Sequence, residues 1–335
     1  VSLDPQIAAI LEQLDSGFPP VQEMSGAQAR ALIRSRLMPP ARPEPIAEAA
    51  DRSIDGRDGP IPVRVYRPDA AGPLPIVVYA HGGGFVFCDL DSHDGLCRNL
   101  ANLVPAVVVS VGYRLAPENP WPAAAEDVYS VTRWAYDNAG SLGADPGRLV
   151  VGGDSAGGNL AAVAAIMARD RGGPAPAAQL LLYPVIAADF DTESYRLFGQ
   201  GFYNPKPALQ WYWDCYVPSH DDRAHPYATP LNADLRGLPP AVVAVAGHDP
   251  LRDEGLAYGA ALTAAGVPTR QLCYDGGIHG FMTMPTLDIA HRARKEATAA
   301  RAALWSTVGS RWLGADDAAS PACHTVGSWP RAKSS

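Results

Sequence analysis

The chain has 335 residues, 47 % of them hydrophobic, and its 27 Lys and Arg against 35 Asp and Glu leave a formal net charge of −8. That length and apolar share suffice for a large core and suit one elaborated α/β domain. The acidic balance, with no Lys/Arg-rich block, argues against nucleic acid and anionic membrane surfaces as partners.

Segment 1–14 is amphipathic and carries Asp4 and Glu12, unlike a basic-then-apolar signal peptide, and no uncharged apolar run reaches membrane-spanning length. The expectation is a cytoplasmic protein without stable membrane insertion. Cys88, Cys97, Cys215, Cys273 and Cys323 are scattered and form no C-x-x-C pair. They read as reduced thiols, not as metal ligands or a disulfide frame.

In chain order, helices are predicted over 7–14 and 27–37, the second ended by the proline-rich break at 38–43. Strands follow at 63–66, 76–80, 106–111, 148–152, 179–183, 241–246 and 270–274, several apolar on both faces as buried parallel strands are. Helices are predicted between and after them, at 96–103, 123–138, 158–169, 253–265 and 288–308. Strands alternating with helices predict a mostly parallel sheet covered on both faces. Residues 187–238 break the rhythm: they show no clear strand and are rich in aromatics. An insertion at the strand ends of such a sheet often covers a binding site, so this stretch and the N-terminal helices are read as a cap. The segment from 314 is poor in apolar residues and reads as a disordered tail.

Gly153-Asp154-Ser155-Ala156-Gly157 lies between an apolar strand and an alanine-rich helix. Strand, Gly-x-Ser-x-Gly and helix are the context of a nucleophile elbow, in which a serine held at positive φ needs neighbours without Cβ atoms. A serine hydroxyl needs a base, and the base needs an orienting partner. Asp249 follows the strand at 241–246, and His279 follows the strand at 270–274 in a glycine-rich loop. Serine, acid and histidine thus come in the order this architecture uses, each at a strand end. Asp253 and Glu254 compete for the acid role but fall inside the predicted helix. His93, His220, His225, His248, His291 and His324 are assigned to surface or supporting roles. His81-Gly82-Gly83-Gly84 follows the strand at 76–80, and its bare backbone N–H groups could receive an oxyanion.

These motifs, together with Tyr113-Arg114-Leu115-Ala116-Pro117-Glu118 through Asp127, resemble the hormone-sensitive-lipase family of α/β-hydrolases, in its bacterial esterase branch. The resemblance covers about residues 63–304. It implies an α/β-hydrolase fold: an eight-stranded, mostly parallel sheet flanked by helices, with a helical cap. The division would be 1–45 and 187–238 for the cap, 46–186 and 239–313 for the core, and 314–335 for the tail. It implies Ser155 as nucleophile, His279 as base, Asp249 as its partner, and an oxyanion hole from Gly83, Gly84 and Ala156. His81 and Asp154 would hold the loop and elbow, and Arg114, Glu118 and Asp127 would form a buried polar network. The implied activity is a serine carboxylesterase for short- to medium-chain acyl esters, without metal or organic cofactor, acting as a monomer or homodimer. A small-molecule amide deacetylase and a non-catalytic ligand-binding relative are the alternatives. Phe85, Tyr183, Phe198, Phe202, Trp211 and Trp213 are candidates for an apolar substrate pocket or, equally, for the core.

Overall fold

The computed structural model describes residues 2–37 and 42–309, with side chains described as far as residue 300. Helices α1 (Pro5–Gly17) and α2 (Gly26–Ser35) come first. Each starts where a polar side chain takes an orphan N–H: Asp4 accepts from Gln6, and Ser25 and Gln28 cap each other reciprocally. Then follow β1 (Glu48–Gly56), β2 (Gly59–Arg67), β3 (Leu74–Ala80), α3 (Asp94–Leu103), β4 (Val107–Val111), α4 (Ala123–Asp137), β5 (Ala144–Asp154), α5 (Ala156–Asp170) and β6 (Ala178–Leu182). After the short helices α6 (Glu193–Phe198) and α7 (Lys206–Tyr216) come β7 (Ala241–His248), α8 (Arg252–Ala264), β8 (Thr269–Ile278) and α9 (Asp288–Gly309). The insertion between β6 and β7 contains no strand, as its composition predicted.

The eight strands form one sheet in the order β1-β2-β4-β3-β5-β6-β7-β8. β1, β2 and β4 pair antiparallel, and every other neighbour pairs parallel. Sequence periodicity misses β1. This edge strand is mostly exposed and carries Glu48, Asp51, Arg52 and Asp55, so it has no apolar face to announce it.

The sheet separates two cores by the two-residue alternation of its strands. Ile76, Val78 and Ala80 of β3 join one core, while Val77 and Tyr79 join the other. β7 divides likewise, with Val243 and Val245 opposite Val242, Ala244 and Ala246. α4, α5 and α8 cover the first face; α3, α9 and Ile7 of α1 cover the second. Residues 156–168 of α5 are all buried, so this helix is enclosed around its whole circumference, with Asn159 as its one polar side chain there. No described helix is long and apolar enough to cross a membrane.

Two expectations are corrected. Arg114 and Asp127 do pair, with Arg114 Nη2 2.8 Å from Asp127 Oδ1 and the Arg114 backbone N–H donating to Oδ2 at 2.9 Å. Glu118, however, is half exposed and pairs instead with Arg30 of α2, because the turn that carries it faces outward. Cys88, Cys97 and Cys215 are free thiols, whereas Cys273 is disulfide-bonded. It stands half-buried on the edge strand β8, not sealed in the core as Cys97 is.

Asp127→Ala removes the main partner of the Arg114 guanidinium, which keeps only the longer contact to Asp58 Oδ2 at 3.3 Å and the Ala123 carbonyl, and strands one backbone N–H. It is expected to cost about 2 kcal/mol, because Arg114 keeps some contact with water. Urea unfolding at neutral pH measures this, and an unchanged midpoint would show that the pair is a surface ornament.

Candidate active site

Ser155 sits between the end of β5 and the start of α5 at φ 55°, ψ −120°. Its neighbours must lack side chains for the turn to close. A Cβ on Gly157 would stand 1.9 Å from the Ala80 carbonyl oxygen, and one on Gly153 would stand 2.3 Å from the Gly157 oxygen. The elbow is thereby pressed against the end of β3, and the serine hydroxyl is lifted to the N-terminus of a fully buried helix.

β7 delivers Asp249 and β8 delivers His279 to the same edge of the sheet. His279 Nε2 lies 2.9 Å from Ser155 Oγ, and Nδ1 lies 2.8 Å from Asp249 Oδ2. The other Asp249 oxygen accepts the Leu251 N–H at 2.8 Å, which fixes the carboxylate plane. Asp249 is wholly buried, while Ser155 and His279 remain slightly accessible at 8 % and 7 %. Tyr183, at the end of β6 with φ 35°, sets its ring edge-on to His279 with centroids 5.1 Å apart. Asp253 and Glu254 lie on α8, and Glu254 accepts the backbone N–H groups of Ile186 and Ala187.

The loop after β3 faces this line. The backbone N–H groups of Gly83, Gly84 and Ala156 donate to no backbone carbonyl among the described residues. Gly83 and Gly84 border the same cavity as Ser155. Asp154, fully buried, accepts from Tyr79 Oη at 2.8 Å and from the Gly82 N–H at 3.1 Å, and faces His93 Nε2 at 3.3 Å. Burial pushes its carboxyl up, but the nearby His93 charge and the hydrogen bonds from His93 and Tyr79 outweigh that and hold it below the usual carboxylate range. His81 stacks on Tyr113 with ring centroids 4.3 Å apart, and its Nδ1 lies 2.7 Å from the Gly82 carbonyl. Burial lowers its pKa to about 4.

A family model described as the alpha/beta hydrolase fold matches residues 77–283, the span that holds the elbow, Asp249 and His279. The chain belongs to this family. It falls in the hormone-sensitive-lipase-like branch. The hydrolase is 46 % identical over 76 % of its length to the carboxylic ester hydrolase LipN of Mycobacterium tuberculosis, 70 % of which is covered. It is 41 % identical to carboxylesterase NlhH of the same organism, over 84 % of this chain and 89 % of that protein. The crystal structure of a hyperthermophilic esterase from Pyrobaculum calidifontis superposes with a TM-score of 0.83 at 40 % identity, covering 92 % of this chain and all of that one.

Around Ser155 the hydrolase has a cavity of about 120 Å³. Its aromatic lining is Phe18, Phe87, Tyr203 and Tyr212. None of the six aromatics expected at the pocket lines it. Phe85 stacks flat on Tyr216 at 3.8 Å, and Trp213 is sealed in the same core. Phe198 and Phe202 pack around His248, Trp211 leans on Tyr212, and Tyr183 lies beside His279. Composition singles out an aromatic segment but not which ring turns inward. His93, read as a surface or supporting residue, is 6 % exposed, faces Asp154 and lines the cavity. His324 lies outside the described residues.

His81 is held neutral in the folded hydrolase, at about 4 against an ordinary 6.5. The unfolded chain therefore binds the extra proton between those values, and stability is lost as pH falls from 6.5 towards 4. The loss attributable to this ring is about 3 kcal/mol. Urea unfolding at pH 7 and pH 4 should show a smaller acid loss in His81→Asn than in the parent. Equal losses would mean that His81 is not the group responsible.

Proposed function

We propose that this protein is a serine carboxylesterase that cleaves short- to medium-chain acyl esters through an acyl-enzyme intermediate. The observation that carries this is the unbroken line Asp249–His279–Ser155 at 2.8 and 2.9 Å, and the names of its carboxylesterase relatives support it. An ester carbonyl enters with its oxygen towards the N–H groups of Gly83, Gly84 and Ala156. Ser155 Oγ attacks as His279 Nε2 takes its proton. The tetrahedral intermediate collapses, and the alcohol leaves with that proton. Water then attacks the acyl group by the same route and releases the acid. Asp249 keeps Nδ1 protonated and stabilises the imidazolium formed in each half. The N–H groups meet charge that develops only after attack, so they act on the transition state more than on the bound ester. Side chains and backbone N–H groups supply every step.

In this reading residues 1–45 and 187–238 act as a cap on the core segments 46–186 and 239–313, of which residues 1, 38–41 and 310–313 lie outside the described residues. Supporting it, Phe18 at the end of α1 meets Tyr203 of the insertion edge-on, with centroids 5.4 Å apart, and both line the cavity. The cavity's modest volume suits short acyl groups. The partner is a small-molecule ester.

The test is hydrolysis of p-nitrophenyl esters from acetate to palmitate. Activity should be highest at short chains and fall towards palmitate. Ser155→Ala and His279→Ala should each lower kcat by about 10⁴–10⁶, and Asp249→Asn by about 10⁴. Undiminished turnover in Ser155→Ala would remove the proposal.

A further inference from the structure

We infer that the cavity selects esters bearing a hydrogen-bonding substituent close to the scissile bond, and that Asn204 is the residue that reads it. This deepens the esterase reading and rests on it.

Asn204 is 5 % exposed and lines the same cavity as Ser155 and His279. Its backbone N–H is satisfied by the Phe202 carbonyl at 2.9 Å. Its side-chain amide makes no hydrogen bond with any described residue. Nor is the amide sealed away, for the buried polar atoms without a partner belong to other residues. A buried residue whose amide is neither paired nor sealed has the cavity as its outlet. The position is rigid. On one side Tyr203 is fixed at φ 73° with its N–H on Asp15 Oδ1 at 3.0 Å, and on the other Pro205 caps α7. Tyr203 and Tyr212 line the same cavity, and neither hydroxyl makes a hydrogen bond with a described residue.

While water fills the cavity these groups are satisfied. An alkyl ester that expels the water leaves a buried donor and acceptor unpaired, and that loss opposes binding. An ester with a hydroxyl, ether or carbonyl group at the right place replaces the water's hydrogen bonds. The cavity's volume of about 120 Å³ keeps that group within a few bonds of the ester carbon. Sites that hydrogen-bond a substrate group reject analogues lacking it far better than apolar pockets reject an added one.

Two pairs of esters, each exchanging a hydroxyl for a methyl group, separate the acyl side from the alcohol side. The first is methyl 3-hydroxybutanoate against methyl 3-methylbutanoate; the second is 2-hydroxyethyl butanoate against propyl butanoate. The readout is the ratio of kcat/KM within each pair, divided by the ratio for hydroxide-catalysed hydrolysis. The parent should favour the hydroxylated member about tenfold in at least one pair. In Asn204→Leu that ratio should fall towards one. Asn204→Ala serves as a second variant if leucine does not fit, with thermal melting as the check on folding. Ratios near one for the parent in both pairs, or a preference that survives in both variants, overturn the inference. No hydrolysis of any of the four esters by the parent overturns the esterase reading as well.

Discussion

The carboxylate of Asp154 is the joint on which the site depends. It belongs to the elbow at the end of β5, yet its hydrogen bonds reach Tyr79 on β3 and the N–H of Gly82 in the following loop. A charge in a dry interior is costly unless its oxygens are fully engaged. Asp154 meets that condition only when strand, elbow and glycine loop hold their observed positions together. The loop has no room to drift inwards either: a Cβ on Gly82 would stand 2.5 Å from an Asp154 oxygen. The nucleophile and the N–H groups of Gly83 and Gly84, though about 70 residues apart in sequence, are thus registered through one buried anion.

The insertion holds the other side of that loop. The Tyr212 ring lies so close to Gly84 that an added Cβ would meet it at 2.5 Å, and Phe85 stacks on Tyr216. Phe85 takes this place at φ 63°, a conformation a bulky side chain adopts only where packing enforces it. The aromatic surplus of the insertion therefore has a structural use apart from any substrate contact. Large flat rings clamp a loop that its own glycines leave soft. The same packing turns Tyr203, Asn204 and Tyr212, and not the tryptophans, towards Ser155.

The chemistry was legible in the sequence because it rests on local rules. A positive-φ serine needs small neighbours, and Ser155 and Asp249 each follow a strand with a plain β-branched run, while His279 follows a strand without one and is marked by its glycine-rich loop. Helix and strand cores were legible for the same reason. β1 was not, because an exposed edge strand needs no apolar alternation. Glu118 was misread because a charged residue near Arg114 can turn to either side of its loop, and only the place of α2 decides in favour of Arg30. The cavity lining was hidden for a deeper reason. Which of two adjacent residues, Phe202 or Tyr203, faces Ser155 depends on a backbone angle fixed by Asp15, 188 positions away in the chain.

That last contact bears on synthesis. Asp15 holds Tyr203, and the N–H of Asp4 donates to the carbonyl of Gly276, on β8 just before His279. Helix α1 therefore has its partners in segments synthesised long after it, 188 residues later for Asp15. Ile7, buried against the far side of the sheet, has no finished surface to enter until β8 is in place. The mouth of the site is consequently a late product of vectorial folding. The nascent chain can assemble its elbow long before it can close over it.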